Sequence, residues 1–334
     1  MEPLAQIEGR RPRRAITASL GLMRLPGMSC LDPFSRILPR LFPRGIRVRL
    51  RSGAALTMSM DHPFWLKVVR RGYQEMATER LLMAGLRPGD TLIDVGAHRG
   101  IFTVIGAQSV GETGRVYAFE PDPLHVRGLR TSIRLNGLAN VTVEHCAVGE
   151  TDAPAWFTRT RIGYERLPPP PGGGAGRSAP MVALDTYVRE RAVGVVRMIK
   201  INVDGPELRV LEGGQRLLAS PEPPLLVMEL SRLGAAWGAG YRSVRAYLRP
   251  FGYGLYGCER TRGDLEALPP TGDLPWNLTT TTVTLAAVIP ALHRGVLEEV
   301  LRLQSRPATL PKAPRQDGAT EETGSPPAAR APRV

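Results

Sequence analysis

Cysteine and lysine are both scarce in this chain of 334 residues, and aromatic residues make up only 6% of it. No apolar run approaches the ~18 residues that a membrane-crossing helix needs. The three cysteines, Cys30, Cys146 and Cys258, are far apart and form no Cys-x-x-Cys pair. That pattern excludes a disulfide framework and a zinc site, and it points to a reducing, cytoplasmic compartment. Few aromatics argue against a base-stacking RNA module. Of 44 basic residues only Lys67, Lys200 and Lys312 are lysines, a bias that reads as a coding habit as much as a binding design.

The net charge of +13 invites a polyanion partner, but the charge is not spread over the chain. Residues 1–51 hold 11 arginines against Glu2, Glu8 and Asp32, and residues 306–334 hold five basic and three acidic residues. The middle is left with +3, so nucleic acid is not the expected partner. Residues 1–46 read as a basic, weakly ordered leader. Its GRRPRR run resembles a targeting signal, yet the apolar stretch that follows is short and broken by Arg24. Residues 47–90 read as a hairpin and a helix, residues 91–305 as the main α/β domain, and residues 306–334 as a disordered tail. Within the domain, the Pro/Gly-rich stretch 166–180 is expected to be a mobile loop.

The domain is organised around Thr91 to Glu120, TLIDVGAHRGIFTVIGAQSVGETGRVYAFE. A short apolar run carrying Asp94 ends at Gly96-Ala97-His98-Arg99-Gly100, and apolar residues at helical spacing follow. A second apolar run ends on Glu120-Pro121. A parallel strand that empties through glycines into a helix brings backbone N–H groups close to a ligand. A carboxylate at the end of the next strand is placed to grip a ribose diol. The dinucleotide fingerprint wants glycine where His98 stands, and Asp94 would repel a pyrophosphate. An acidic residue there suits a ligand with a cationic end, so S-adenosylmethionine fits better than NAD. The alternative is that Asp94 only caps the helix and the glycines only make the turn.

After Pro121-Asp122-Pro123, which opens a helix, the strand VTVEHCA ends at Cys146 and Ala147. These two are candidates either for the wall beside the base or for core packing. A later strand, from about Arg197 to Val203, carries Lys200 and Asn202 on alternate positions, and Asp204 continues that face. Polar residues alternating on a central parallel strand cost free energy unless they face a cleft. Lys200, Asn202 and Asp204 are therefore the candidate catalytic residues. No His/carboxylate cluster demands a metal, although a divalent ion near Asn202 and Asp204 is possible. Further strands are expected over 224–230, 252–258 and within 277–289.

The motifs LIDVGAHRG, VYAFEPDP, LNGLANVTVEHCAVG, VALDTYV, IKINVDGPELRVLEGG and LLVMEL resemble, in order and spacing, the FkbM family of methyltransferases. The resemblance covers roughly residues 75–258, including the lead-in TERLLMAGLRPGD with Glu79. It implies a Rossmann-like class I methyltransferase fold, a seven-stranded mostly parallel sheet with helices on both faces and the last strand antiparallel. It also implies S-adenosylmethionine as methyl donor and O-methylation of a hydroxyl on a sugar, glycoconjugate or natural product. Carried over by position, Asp94, Gly96, Ala97, His98 and Gly100 shape the cofactor turn, Glu120 and Pro121 lie at the ribose, and Glu79 belongs to the cofactor side. Two departures from the pattern stand out, one at position 98 and one in the strand-four motif. His98 replaces a common asparagine, and Asn202 and Asp204 stand where the family usually has aspartate and glutamate. Two alternatives follow, an RNA methyltransferase or a non-catalytic cofactor-binding member. Steep salt dependence of tRNA binding would mark the first. Activity gained by Asn202→Asp would mark the second.

Overall fold

The computed structural model describes residues 6–7, 40–42, 45–50, 52–58, 68, 76–159, 164–166, 176–231, 240–258, 265–267, 282–288 and 293. The expected tail and most of the expected leader lie outside these residues.

Near the N-terminus β1 (Gln6–Ile7), β2 (Ile46–Arg49) and β3 (Ala55–Met58) form an antiparallel sheet in that order. Strands β2 and β3 are the expected hairpin around Ser52-Gly53. Helix α1 (Met76–Gly85) leads into β4 (Thr91–Val95), α2 (Ile101–Val110), β5 (Arg115–Phe119), α3 (Pro123–Leu135) and β6 (Val141–Glu144). A side region follows: β7 (Ala147–Val148), β8 (Ala155–Arg159), β9 (Tyr164–Arg166), β10 (Arg177–Ala179), β11 (Met181–Val182) and α4 (Leu184–Glu190). The chain then returns through β12 (Met198–Ile201), α5 (Glu207–Glu212), α6 (Gln215–Leu218), β13 (Leu225–Ser231) and α7 (Tyr241–Leu248). It closes with β14 (Gly254–Cys258), β15 (Leu265–Ala267) and β16 (Thr282–Val288).

The central sheet has the order β15-β14-β16-β13-β12-β4-β5-β6. Strands β13, β12, β4, β5 and β6 pair in parallel, and β16 pairs antiparallel with both β13 and β14. The sheet thus differs from the expected seven strands. Its parallel body has five, and three more at one edge bring the total to eight. The eighth is β15, which folds back on β14. The expected third strand, 141–147, is also split: β6 stays in the sheet, whereas β7 pairs with β11. Part of the expected mobile loop, Arg177–Ala179, is strand β10 paired with β8. The rest of that loop, apart from 166 and 176–180, lies outside the described residues.

The central parallel strands β4, β12 and β13 are mostly apolar on both faces because both are covered, whereas edge strand β6 is only partly buried. Leu92, Val116, Met198 and Val227 face a core shared with the hairpin, α1 and α2. Ile93, Val95, Ile199, Ile201 and Met228 face the other core, with α4, α5 and α7. The hairpin is fastened by Asn136, whose Oδ1 accepts the Ala55 N–H at 2.9 Å and whose Nδ2 donates to the Ala55 carbonyl at 2.6 Å. Among the described residues no helix is long and apolar enough to cross a membrane.

Candidate cofactor and acceptor site

All the parallel strands end at one edge, and the turn after β4 lies there. Gly96 adopts φ +74° and Gly100 φ +89°, both in the left-handed region that favours glycine. A Cβ on Gly96 would sit 1.9 Å from the Asn202 carbonyl oxygen, so the turn and the end of β12 are in backbone contact. The N–H groups of Gly96 and Ala97 both donate to the Phe119 carbonyl at 3.0 Å. Gly100 precedes α2 and lets α3 approach, since a Cβ there would meet Leu129 at 2.6 Å. His98 also has positive φ, 51°, and turns its N–H onto Glu120 Oε2 at 2.8 Å.

Glu120 is the polar centre of this edge. Its Oε1 accepts the Asp122 N–H at 2.9 Å, so each carboxylate oxygen holds one backbone donor. A carboxylate oxygen has two lone pairs, so Oε2 keeps a further acceptor position. His125 Nδ1 stands 3.4 Å from Glu120 Oε1 and 3.9 Å from Asp122 Oδ2, and its ring packs at 3.8 Å against the His98 ring. Asp122 caps α3 by accepting the Leu124 N–H at 2.7 Å, with Pro123 in the first turn as the sequence suggested. The Pro121 carbonyl lies 3.2 Å from His145 Nε2.

Several expected site residues are placed differently. Asp94 does not face a ligand: it is fully buried, its Oδ2 accepts the Thr103 hydroxyl at 2.6 Å, and Lys200 Nζ lies 3.0 Å from its Oδ1. Asp94 is therefore not the bare carboxylate that the sequence suggested, since a buried ammonium is its counter-charge. Lys200 is likewise not at the cleft. Period-2 alternation puts it opposite Asp94, on the face covered by α2, one layer beneath the turn. Ala147 packs with Ala155, Phe157, Ala179 and Met181, and Cys146 packs on the core under α4. Burial, helped by the Glu144 charge, pushes the Cys146 thiol up to about 12, so it stays a neutral packing group. Glu79 is buried in the first turn of α1, a helix that packs on α2.

At the end of β12 the polar face does reach the edge. Asn202 Nδ2 donates to Glu229 Oε2 on neighbouring β13, and Asp204 is half-buried with φ 55°. Behind them Glu207 is fully buried, with Oε1 accepting the Gly205 N–H at 2.9 Å and Oε2 lacking a hydrogen-bond partner. Burial first, and the Asp204 charge after it, push its carboxyl up to about 7. Sequence reasoning missed Glu207, Glu229, His125 and Thr103 as members of the site. An acidic residue in the first turn after Gly205-Pro206 was a signal for Glu207. Nothing local signalled that Glu229 would meet Asn202, since strand adjacency makes that contact.

Residues 94–255 match the methyltransferase FkbM domain. The 31-O-demethyl-FK506 methyltransferase FkbM of Streptomyces tacrolimicus is 29% identical over 176 residues, a match covering 42% of this chain and 66% of that protein. Among solved structures, an rRNA methylase from Streptococcus thermophilus is 14% identical with a TM-score of 0.38, covering 63% of this chain and 92% of the other. A SAM-dependent methyltransferase from Aquifex aeolicus is 17% identical with a TM-score of 0.35, covering 64% and 90%. The glycine turn, the doubly covered parallel sheet and the domain match agree: over residues 94–255 this chain is similar to the FkbM domain of S-adenosylmethionine-dependent methyltransferases.

Proposed function

We propose that this protein methylates a hydroxyl oxygen on a sugar, glycoconjugate or natural product, acting in the cytoplasm. S-adenosylmethionine, when bound, supplies a methyl carbon made electrophilic by its sulfonium. Glu120 binds the ribose hydroxyls, while Gly96, Ala97, His98 and Gly100 shape the wall beneath the ligand. Asp204 takes the acceptor proton or orients the acceptor, and Asn202 fixes the strand end through Glu229. The observation that carries the reading is the pair of carboxylates, Asp204 and Glu229, at the same sheet edge as the Glu120 turn. An acceptor hydroxyl loses its proton when its oxygen is methylated, and a carboxylate beside it is a group that can take that proton. The relative from Streptomyces tacrolimicus is a 31-O-demethyl-FK506 methyltransferase, which supports oxygen as the methyl acceptor. In-line displacement depends mainly on alignment, and a base adds typically ~10²–10⁴-fold.

The test is thermal unfolding with S-adenosylhomocysteine, then with NAD, on the wild type and Glu120→Ala. At ~100 times its dissociation constant a ligand stabilises by about 2.7 kcal/mol. Stabilisation by S-adenosylhomocysteine alone, lost in Glu120→Ala, is expected. Labelled methyl transfer to a panel of hydroxylated acceptors should follow, with Asp204→Asn slowing turnover. Unchanged turnover in Asp204→Asn would remove that residue from the mechanism.

A further inference from the structure

We propose that Lys200 is the positioning residue of the cofactor turn: it holds Gly96 in place from below and cancels the charge of Asp94, so the turn acts on its ligand through shape. The proposal rests on S-adenosylmethionine being the ligand of that turn.

Lys200 Nζ donates to the Gly96 carbonyl at 2.8 Å and to the Val95 carbonyl at 3.4 Å, and it meets Asp94 Oδ1 at 3.0 Å. Two backbone carbonyls thus accept from this ammonium, and a carboxylate oxygen stands beside it at ion-pair distance. The other Asp94 oxygen is taken by Thr103 of α2, and the ammonium lies 5.4 Å from the centroid of the Phe102 ring on the same helix. Side-chain exposure is 4% for Lys200 and nil for Asp94, so neither charge is screened by water. From the other side the turn is held by the Phe119 carbonyl, which accepts from Gly96 and Ala97. The turn is thus pinned between β12 and β5, with Lys200 the side chain that supplies the β12 hold.

Residue choice supports the same conclusion. Only three of the 44 basic residues are lysines, and Lys200 is the lysine among the described residues. A planar guanidinium presents its donors in a fixed fork, whereas a compact ammonium can meet two carbonyls and a carboxylate oxygen grouped around one point. The pair is also internally neutral. Any effect it has on binding should be the same for a ligand with a positive charge at the sulfonium position and for one without.

The experiment is titration calorimetry on the full chain with two probes, S-adenosylhomocysteine (a neutral thioether) and sinefungin (an amine that is cationic at the same position). Lys200→Met alone strands a buried carboxylate, so the informative variant is Asp94→Asn with Lys200→Met, which removes both charges and keeps the Thr103 partner. Lys200→Arg, which retains the ion pair, approaches the question by a second route. Both variants are expected to melt near the wild-type temperature and to bind S-adenosylhomocysteine roughly 10- to 100-fold more weakly, the range for losing a charged hydrogen bond. Sinefungin should weaken by the same factor. Wild-type affinity in the folded variants would overturn the proposal, since Lys200 would then be merely structural. A tenfold greater loss for sinefungin would overturn it too, by putting the Asp94 charge in play. If the wild type binds neither probe, the cofactor reading itself falls, and the proposal with it.

Discussion

Replacing Glu207 by glutamine isolates the cost of burying a carboxyl group behind the acceptor edge. The wild-type side chain is fully buried, accepts one N–H from Gly205 at 2.9 Å, and leaves Oε2 without a partner. Burial raises its pKa from the ordinary 4.5 to about 7, Asp204 adds to the rise, and the Gly205 N–H opposes it. Between those values the folded state binds more protons than the unfolded chain, so this group's contribution to stability falls as pH rises through the window. At ~1.36 kcal/mol per pH unit the cost is below about 1 kcal/mol at pH 5 and reaches about 3 kcal/mol at pH 8. Glutamine keeps the shape and an acceptor for Gly205 but cannot ionise. The unfolding free energy of Glu207→Gln, minus that of the wild type, should therefore grow by about 2–3 kcal/mol from pH 5 to pH 8. Urea unfolding at unit pH steps measures this directly. A difference that stays flat over the range would refute the argument, because it would mean that burial does not hold Glu207 protonated.

Two further outcomes follow from backbone contacts. Gly96→Ala places a methyl group against the Asn202 carbonyl at a positive φ, so it should lower both the melting temperature and the affinity for S-adenosylhomocysteine, whereas Gly137→Ala, with open space around it, should leave that affinity unchanged. Asn136→Ala strips both the N–H and the carbonyl of buried Ala55 of their side-chain partner, and a loss of about 2–4 kcal/mol is expected in denaturant unfolding.

Much of the fold was legible because its signals are local. The glycine turn, the Asp122-Pro123 helix start and the apolar strands depend on conformational preferences of a few adjacent residues. Helix α3, strands β12 and β13 and the final strand accordingly lie where the pattern placed them, within a few residues. Strand three was drawn too long because an apolar run does not say which neighbour it pairs with, and β7 leaves the sheet for β11. The edge strand β15 sits among residues whose composition carries no clear period, and its pairing with β14 is a tertiary fact.

The site divides along the same line. Order and identity of residues along the chain were enough to determine the turn at Gly96–Gly100, the carboxylate Glu120 after the next strand, and the polar face of β12, since chain connectivity puts all three at the carboxyl ends of parallel strands. Which charges are exposed there was decided only by tertiary structure. Asp94 and Lys200 read as a ligand-facing carboxylate and a cleft cation when taken singly. Register between β4 and β12 sets them side by side under α2, where water is excluded and each is the other's counter-charge. In the same way Asn202, which read as a lost carboxylate, meets Glu229 from the neighbouring strand. Burial and pairing are properties of residues far apart in sequence, and no local pattern encodes them.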